Sequence, residues 1–385
     1  MEKDDFNRRN FITSIAMGSF VLMGLNPISS FGNVIKKSDR FHRTDLLVYL
    51  DSNGQKKPVT TLAEWAIKRK QILEGMQKAM GRLPDMSGLP PLDMEIIEQL
   101  KEDNYTRLTI NFTVAENERV PAYLYVPIRK SKKDKLPAML ALHPTGALGK
   151  GIVDGQSELP NRAYAKELAE RGYVVIAPDY PSFGDLKEYD FKTDRYQSGT
   201  MKSIFDDIRC VDLLEAREDV DPDRIGVIGH SLGGHSALFA GAFDTRLKVV
   251  VSSCGWTLMD YYNAGEETTK KYEGALGPWA QERYMPLLRD KYDLDIKKIP
   301  FDFDEVIAAL APRAFFSNSP VNDSNFNIKG VRKGIAAVSE VYDFLGVKDK
   351  LEVHYPNSEH DFPPEVRFEA YRFIDKILDV RVAGI

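Results

Sequence analysis

Apolar positions along this chain follow two rhythms. Between residues 59 and 80 they recur at intervals of three and four: Leu62, Trp65, Ala66, Ile72, Leu73, Met76 and Met80. That spacing predicts an amphipathic helix, ended by Gly81 and Pro84. Residues 85–95 are rich in proline and glycine and read as a linker. Segments 105–114 and 120–127 alternate apolar with polar across the turn Ala115-Glu116-Asn117-Glu118, which predicts an antiparallel pair at a sheet edge. From residue 136 short unalternating apolar runs and longer amphipathic ones take turns. Strands are expected at 136–143, 173–178, 224–230, 247–254, 314–318 and 351–355. Helices are expected at 161–171, 199–219, 231–243, 328–345 and 364–378. Buried strands separated by helices predict an α/β fold: a mostly parallel sheet covered on both faces.

Two segments interrupt that order. One is 181–198; the other, about 256–311, is rich in aromatics and charge, including Trp256, Tyr261, Tyr262, Tyr272, Trp279, Arg283, Tyr284 and Tyr292. Both begin beyond the carboxyl end of a strand, where ligands of open α/β sheets bind. They are expected to form a lid or substrate walls.

The first 32 residues read differently. Arg8-Arg9 precedes the apolar run 11–25, then Pro27 and Ser30-Phe31-Gly32. This resembles a bacterial twin-arginine export signal cleaved after Gly32. Asn7 and the acidic Glu2, Asp4 and Asp5 depart from the usual pattern. The run is short for a span of about 20 residues. The expectation is an exported protein, periplasmic or extracellular, with no stable membrane span once the signal is removed.

The chain has 385 residues, with 57 acidic and 52 basic, so its formal net charge is −5. That balance argues against nucleic acid as a partner. Two cysteines, Cys210 and Cys254, are too few for a disulfide framework or a cysteine zinc site and read as buried free thiols. With no H-E-x-x-H, P-loop or EF-hand pattern, neither metal nor cofactor is expected. Asp302, Asp304 and Glu305 read as a helix start.

The chemistry concentrates in Gly229-His230-Ser231-Leu232-Gly233-Gly234, a G-x-S-x-G motif between an apolar strand and a helix. A sharp strand-to-helix turn needs small neighbours, and it lifts the serine oxygen above the sheet. A serine nucleophile needs a base, and the base needs an orienting carboxylate. Of the later histidines, His354 falls inside a strand, whereas His360 falls in the loop beyond it. His360 is therefore the expected base. His235, one turn past Ser231, is expected to pack or face solvent, and His230 to face away from the serine proton. Asp323 follows the next-to-last strand and is the expected acid, although Asn322-Asp323-Ser324-Asn325 also suits an Asx-turn. Asp361 and Glu359 are its rivals. The expected oxyanion donors are the N–H of Leu232 and that of Thr145 or Gly146, since Pro144 has none. His143 is expected to structure that loop.

These motifs, with His360-Asp361-Phe362-Pro363, resemble the α/β-hydrolase superfamily over roughly residues 100–380. The arrangement is similar to its dienelactone-hydrolase-like and acetyl-xylan-esterase-like branch, which includes exported bacterial carbohydrate esterases. The resemblance implies Ser231 as nucleophile, His360 as base and Asp323 as acid. The loop His143-Pro144-Thr145-Gly146 departs from the common His-Gly-Gly. The implied organisation is an export signal at 1–32, an N-terminal helical extension at 33–98, and a hydrolase domain at 99–385. The implied activity is hydrolysis of acetyl or methyl esters on carbohydrate through an acyl-enzyme. Trp256, Trp279, Arg283 and Tyr284 are the expected substrate contacts. The expected partner is a small-molecule or oligosaccharide ester; oligomeric state stays open. A serine peptidase, a small-ester or lactone hydrolase, and a binding protein that has lost the chemistry are the alternatives.

Overall fold

The structure is a computed structural model and describes residues 45–129 and 134–380. The export signal expected at 1–32 lies outside the described residues. Among the described residues, no helix is long and apolar enough to cross a membrane.

Eleven strands are described: β1 (Val48–Leu50), β2 (Lys56–Pro58), β3 (Glu95–Lys101), β4 (Tyr105–Ala115), β5 (Glu118–Pro127), β6 (Leu136–Leu142), β7 (Val174–Pro178), β8 (Val220–His230), β9 (Leu247–Ser253), β10 (Ala314–Asn318) and β11 (Leu351–His354). The α-helices are α1 (Leu62–Met80), α2 (Tyr164–Glu170), α3 (Gly199–Glu215), α4 (Leu232–Phe243), α5 (Glu266–Lys271), α6 (Leu287–Asp290), α7 (Phe303–Ala308), α8 (Ile328–Phe344) and α9 (Pro364–Ile377). β1 and β2 form a separate hairpin, and the other nine strands make one sheet in the order β11-β10-β9-β8-β6-β7-β5-β4-β3. The six strands from β11 to β7 run parallel, and β5, β4 and β3 add antiparallel to that edge. This is the mostly parallel α/β sheet the apolar rhythm predicts, and its order is consistent with the α/β-hydrolase resemblance. β6, β7, β9 and the later half of β8, from Ile225 to His230, are almost wholly buried, which is why their runs do not alternate.

Sheet register sets the position of the site. Leu142 pairs with Gly229, His230 with Ser253, Ser253 with Asn318, and Asn318 with His354. The carboxyl ends of β6, β8, β9, β10 and β11 therefore lie side by side, and the loops that leave them open on one another. β6 has β7 on one side and β8 on the other, so the chain order reverses there. That is the switch point where an α/β sheet leaves room for a ligand.

β3 lies where the sequence suggests only linker and the start of a domain. Its run Glu-Ile-Ile-Glu-Gln-Leu-Lys is exposed throughout. No buried face imposes alternation there, and its charged residues suit an outer edge. α1 does form where its spacing predicts, with Thr61 and Glu64 closing a capping box at its start. It lies close against the rest of the protein. A Cβ on Gly75 would sit 2.4 Å from the Pro300 carbonyl oxygen. Arg69 donates to the carbonyls of Ala242 at 2.6 Å and Ala309 at 2.9 Å, near the ends of α4 and α7. Asp302 caps α7, matching the expected helix start.

Candidate active site

Gly229 and Gly233 are small because the backbone leaves no room. A Cβ on Gly229 would lie 2.1 Å from the Gly233 carbonyl oxygen, and one on Gly233 would lie 1.9 Å from that of Leu142. Between them Ser231 adopts φ 55° and ψ −119°, a region that side chains other than glycine avoid. The Ser231 N–H donates to the Ser253 carbonyl at 2.8 Å, which ties the turn to β9. Leu232 is the first residue of α4, so its N–H lacks an intrahelical acceptor and points with the positive end of the helix dipole.

Three expected residues come together. The Ser231 hydroxyl lies 2.9 Å from His360 Nε2, and His360 Nδ1 lies 2.8 Å from Asp323 Oδ2. Asp323 serves two structures at once. Its Oδ1 accepts from the N–H groups of Asn325 at 2.9 Å and Phe326 at 3.0 Å, which is the Asx-turn, while Oδ2 faces the imidazole. The Asp323 side chain is 1% exposed and that of His360 28%, so the carboxylate meets the ring away from water while the ring itself reaches solvent.

The rival Asp361 has other partners. It takes Arg162 at 2.5 Å and Asn161 at 2.8 Å, and these bonds outweigh its burial to hold its carboxyl below the usual range. Arg162 also reaches the His360 carbonyl at 3.2 Å, and Asn318 donates to the Asp361 carbonyl at 2.8 Å. The histidine loop is thereby clamped from two sides. His354 bonds Glu352 at 2.7 Å and stacks on Phe316, away from the serine. His230 is buried, its Nδ1 2.9 Å from Ser253 Oγ, and burial holds it neutral. His235 packs against Trp279 with ring centroids 4.2 Å apart, and burial pushes its pKa down to about 3. The Gly255 backbone adjoins that ring without a well-formed hydrogen bond.

Cys210 and Cys254 are buried free thiols. The side chains of Cys254, Asp323 and His360 lie within 4.8 Å of one another. Two of those three are already engaged in the serine–histidine–aspartate chain.

The loop after β6 holds Thr145 and Gly146, and its anchor escapes sequence reasoning. Asp179, at the end of β7, is fully buried. It accepts from the Lys150 N–H at 2.7 Å, the Lys150 ammonium at 2.5 Å and the Asp185 N–H at 2.9 Å. Burial would lower the Lys150 pKa, and the Asp179 partner overrides it, so the ammonium is held charged. His143 sits in the same knot, with Nε2 accepting from the Tyr180 N–H at 3.2 Å. An Asp in Pro-Asp-Tyr carries no sign of this task in the sequence.

The expected substrate contacts divide. Trp256 is 1% exposed, and its indole donates to Ser317 Oγ at 2.9 Å. It packs on α8, where a Cβ on Gly334 would sit 2.9 Å from its ring. It is a core residue, and the expectation of a sugar wall is corrected. Its position, just past the end of β9, turns the ring under the sheet's covering helix. Trp279 lines a narrow aromatic pocket with Tyr262, Phe303 and Phe326. Phe326 stacks on His360, so that pocket adjoins the histidine. Tyr284 is buried with its hydroxyl 3.5 Å from that of Thr145. Arg283 lines a second cleft together with Leu232.

A family profile described as "Glucuronyl esterase, fungi" matches residues 197–346. Carbohydrate esterase MZ0003, from an unknown prokaryotic organism, is 30% identical over 354 residues, covering 78% of each chain. YtaP of Bacillus subtilis (strain 168) is 29% identical over 324 residues, covering 81% of this chain and 99% of that protein. The solved glucuronoyl esterase from Solibacter usitatus superposes with a TM-score of 0.65 at 20% identity, covering 89% of this chain and all of that one. The chain belongs to the carbohydrate esterases of the α/β-hydrolase fold, carboxylic ester hydrolases related to the glucuronoyl esterases.

Proposed function

We propose that this is an exported serine esterase that removes methyl or acetyl esters from carbohydrate through Ser231, His360 and Asp323. The observation that carries the reading is the pair of contacts at 2.9 and 2.8 Å linking hydroxyl, imidazole and carboxylate. His360 Nε2 takes the proton of Ser231 as Oγ attacks the ester carbonyl carbon. Asp323 holds the opposite Nδ1–H and steadies the imidazolium that forms. The Leu232 N–H, with Thr145 or Gly146, receives the charge that builds on the carbonyl oxygen. The imidazolium gives its proton to the departing alcohol, leaving the acyl group on Ser231. Water, deprotonated by His360, then attacks that acyl carbon and releases the acid. The twin-arginine-like segment at 1–32 supports export.

Acetylated xylan and methyl-esterified pectin, offered together, test the reading. Release of methanol or acetate by the parent protein is expected, with a fall of about a thousandfold or more in Ser231→Ala. Undiminished hydrolysis by Ser231→Ala would overturn the mechanism. Methanol alone would mark a uronate methylesterase, and acetate alone a deacetylase.

A further inference from the structure

A narrow cleft beside the Ser231 turn is lined by Arg283, Phe183, Thr200, Ser203, Leu232 and His235, with no aspartate or glutamate among its lining residues. Arg283 is held in place through its backbone. The Gly199 N–H donates to the Glu282 carbonyl at 2.9 Å and the Thr200 N–H to that of Tyr284 at 3.0 Å. A Cβ on Gly199 would sit 2.4 Å from the Arg283 carbonyl oxygen. The segment is thus seated on the start of α3.

The Arg283 guanidinium lies 5.6 Å from the Phe183 ring centre and 5.4 Å from that of Tyr284. One nitrogen donates to Gln281 Oε1 at 2.8 Å. Among the described residues no aspartate or glutamate lines the cleft to pair with its remaining N–H groups. Aromatic rings beside a guanidinium limit its rotamers and leave its N–H edge to meet an anion.

Two further features act in the same sense. Thr200 lies in the first turn of α3 and Leu232 in that of α4, so two helix N-termini border the cleft. His235, 2% exposed, lines the cleft with its imidazole neutral and, among the described residues, only the Gly255 backbone beside its ring nitrogens. As a neutral imidazole it offers one donor and one acceptor, which suits a hydroxyl neighbouring the anion.

We propose that Arg283 anchors a carboxylate subsite, so that the enzyme favours esters on acidic oligosaccharides that keep a free carboxylate next to the scissile ester. This rests on the esterase reading above. A planar guanidinium pairs with a carboxylate through two parallel N–H donors. Leu232 follows Ser231 directly and lines the cleft, which places an anchored carboxylate close to the attacked ester.

Two probes test it: trigalacturonate methyl-esterified only on its central unit, and the same trimer esterified on all three. The parent protein is expected to show kcat/KM at least tenfold higher for the first. Raising salt from about 0.05 to 0.5 M should shrink that preference. In Arg283→Gln the preference should collapse to within about twofold, with Arg283→Lys in between. A parent protein without preference, or an Arg283→Gln variant that loses activity equally on both probes, overturns the subsite. The esterase reading is judged separately, by whether the parent cleaves the fully esterified trimer and Ser231→Ala does not. If the parent cleaves neither probe, calorimetric titration with free trigalacturonate decides. Binding weakened about tenfold in Arg283→Gln supports the subsite, and equal or absent binding overturns it.

Discussion

Asp179→Ala is expected to be one of the costliest substitutions in this protein, although Asp179 touches none of the reacting atoms. The carboxylate is fully buried and accepts three hydrogen bonds, two of them from backbone N–H groups. Removing it leaves the Lys150 N–H without its acceptor and the Lys150 ammonium, 4% exposed, with Asp185 alone at 2.6 Å. Breaking a buried pair from one side costs about 3–5 kcal/mol. Asp185 is 64% exposed and stays in contact, which places the loss toward the lower end, at about 3 kcal/mol. Urea unfolding should show that loss with an unchanged m-value. Lys150→Met combined with Asp179→Leu removes both charges and should recover most of it, because an apolar pair of similar volume is often no worse than a buried ion pair. The same knot holds the loop of Thr145 and Gly146, so kcat in Asp179→Ala should fall more than KM rises. An Asp179→Ala protein within about 1 kcal/mol of the parent would refute the argument, as would a double variant no better than the single one.

Two other outcomes follow from groups described here. Asp207 is buried with neither carboxyl oxygen hydrogen-bonded, and burial followed by the charge of Asp206 raises its pKa well above the usual value. The folded state thus holds this proton more tightly than the unfolded chain, so the stability it contributes is full below about pH 4 and drains away as pH rises toward the folded pKa. Asp207→Asn should match the parent near pH 4 and exceed it increasingly toward pH 8 in urea titrations; a pH-independent difference would sink this account. Trp256→Ala should lower stability by about 3–5 kcal/mol, and the milder Trp256→Phe should leave KM within about twofold; a raised KM at full stability would return Trp256 to the substrate wall.

Much of this architecture is readable in the chain because buried parallel strands must be apolar on both faces. The runs at β6, β7, β8 and β9 announce themselves, and the motif around Ser231 fixes which strand ends matter. The choice of His360 over His354 needs only the difference between a loop and a strand interior. Asp323 could be read as a turn residue or as a partner for the histidine, and its two oxygens do one each. What stays hidden is long-range burial. Aromatic richness around residues 256–284 does not say which rings turn inward, so Trp256 and Trp279 look alike on paper and differ in the fold. Asp179 and Lys150 are 29 residues apart, and no local pattern marks them as a pair. β3 is missed because an exposed outer strand owes its place to β4 alone.

The contacts of α1 carry a consequence for how the chain assembles. Arg69 bonds carbonyls 173 and 240 residues further on, so the helix is synthesised long before its seat exists. Contacts of such separation form late, after the intervening chain has ordered. The segment that leaves the ribosome early is therefore expected to dock last, as a latch over the ends of α4 and α7. Pulse-labelled hydrogen exchange during refolding should show amides of β8 and β9 protected before those of residues 62–80; the reverse order would show the helix to be a nucleus instead of a latch.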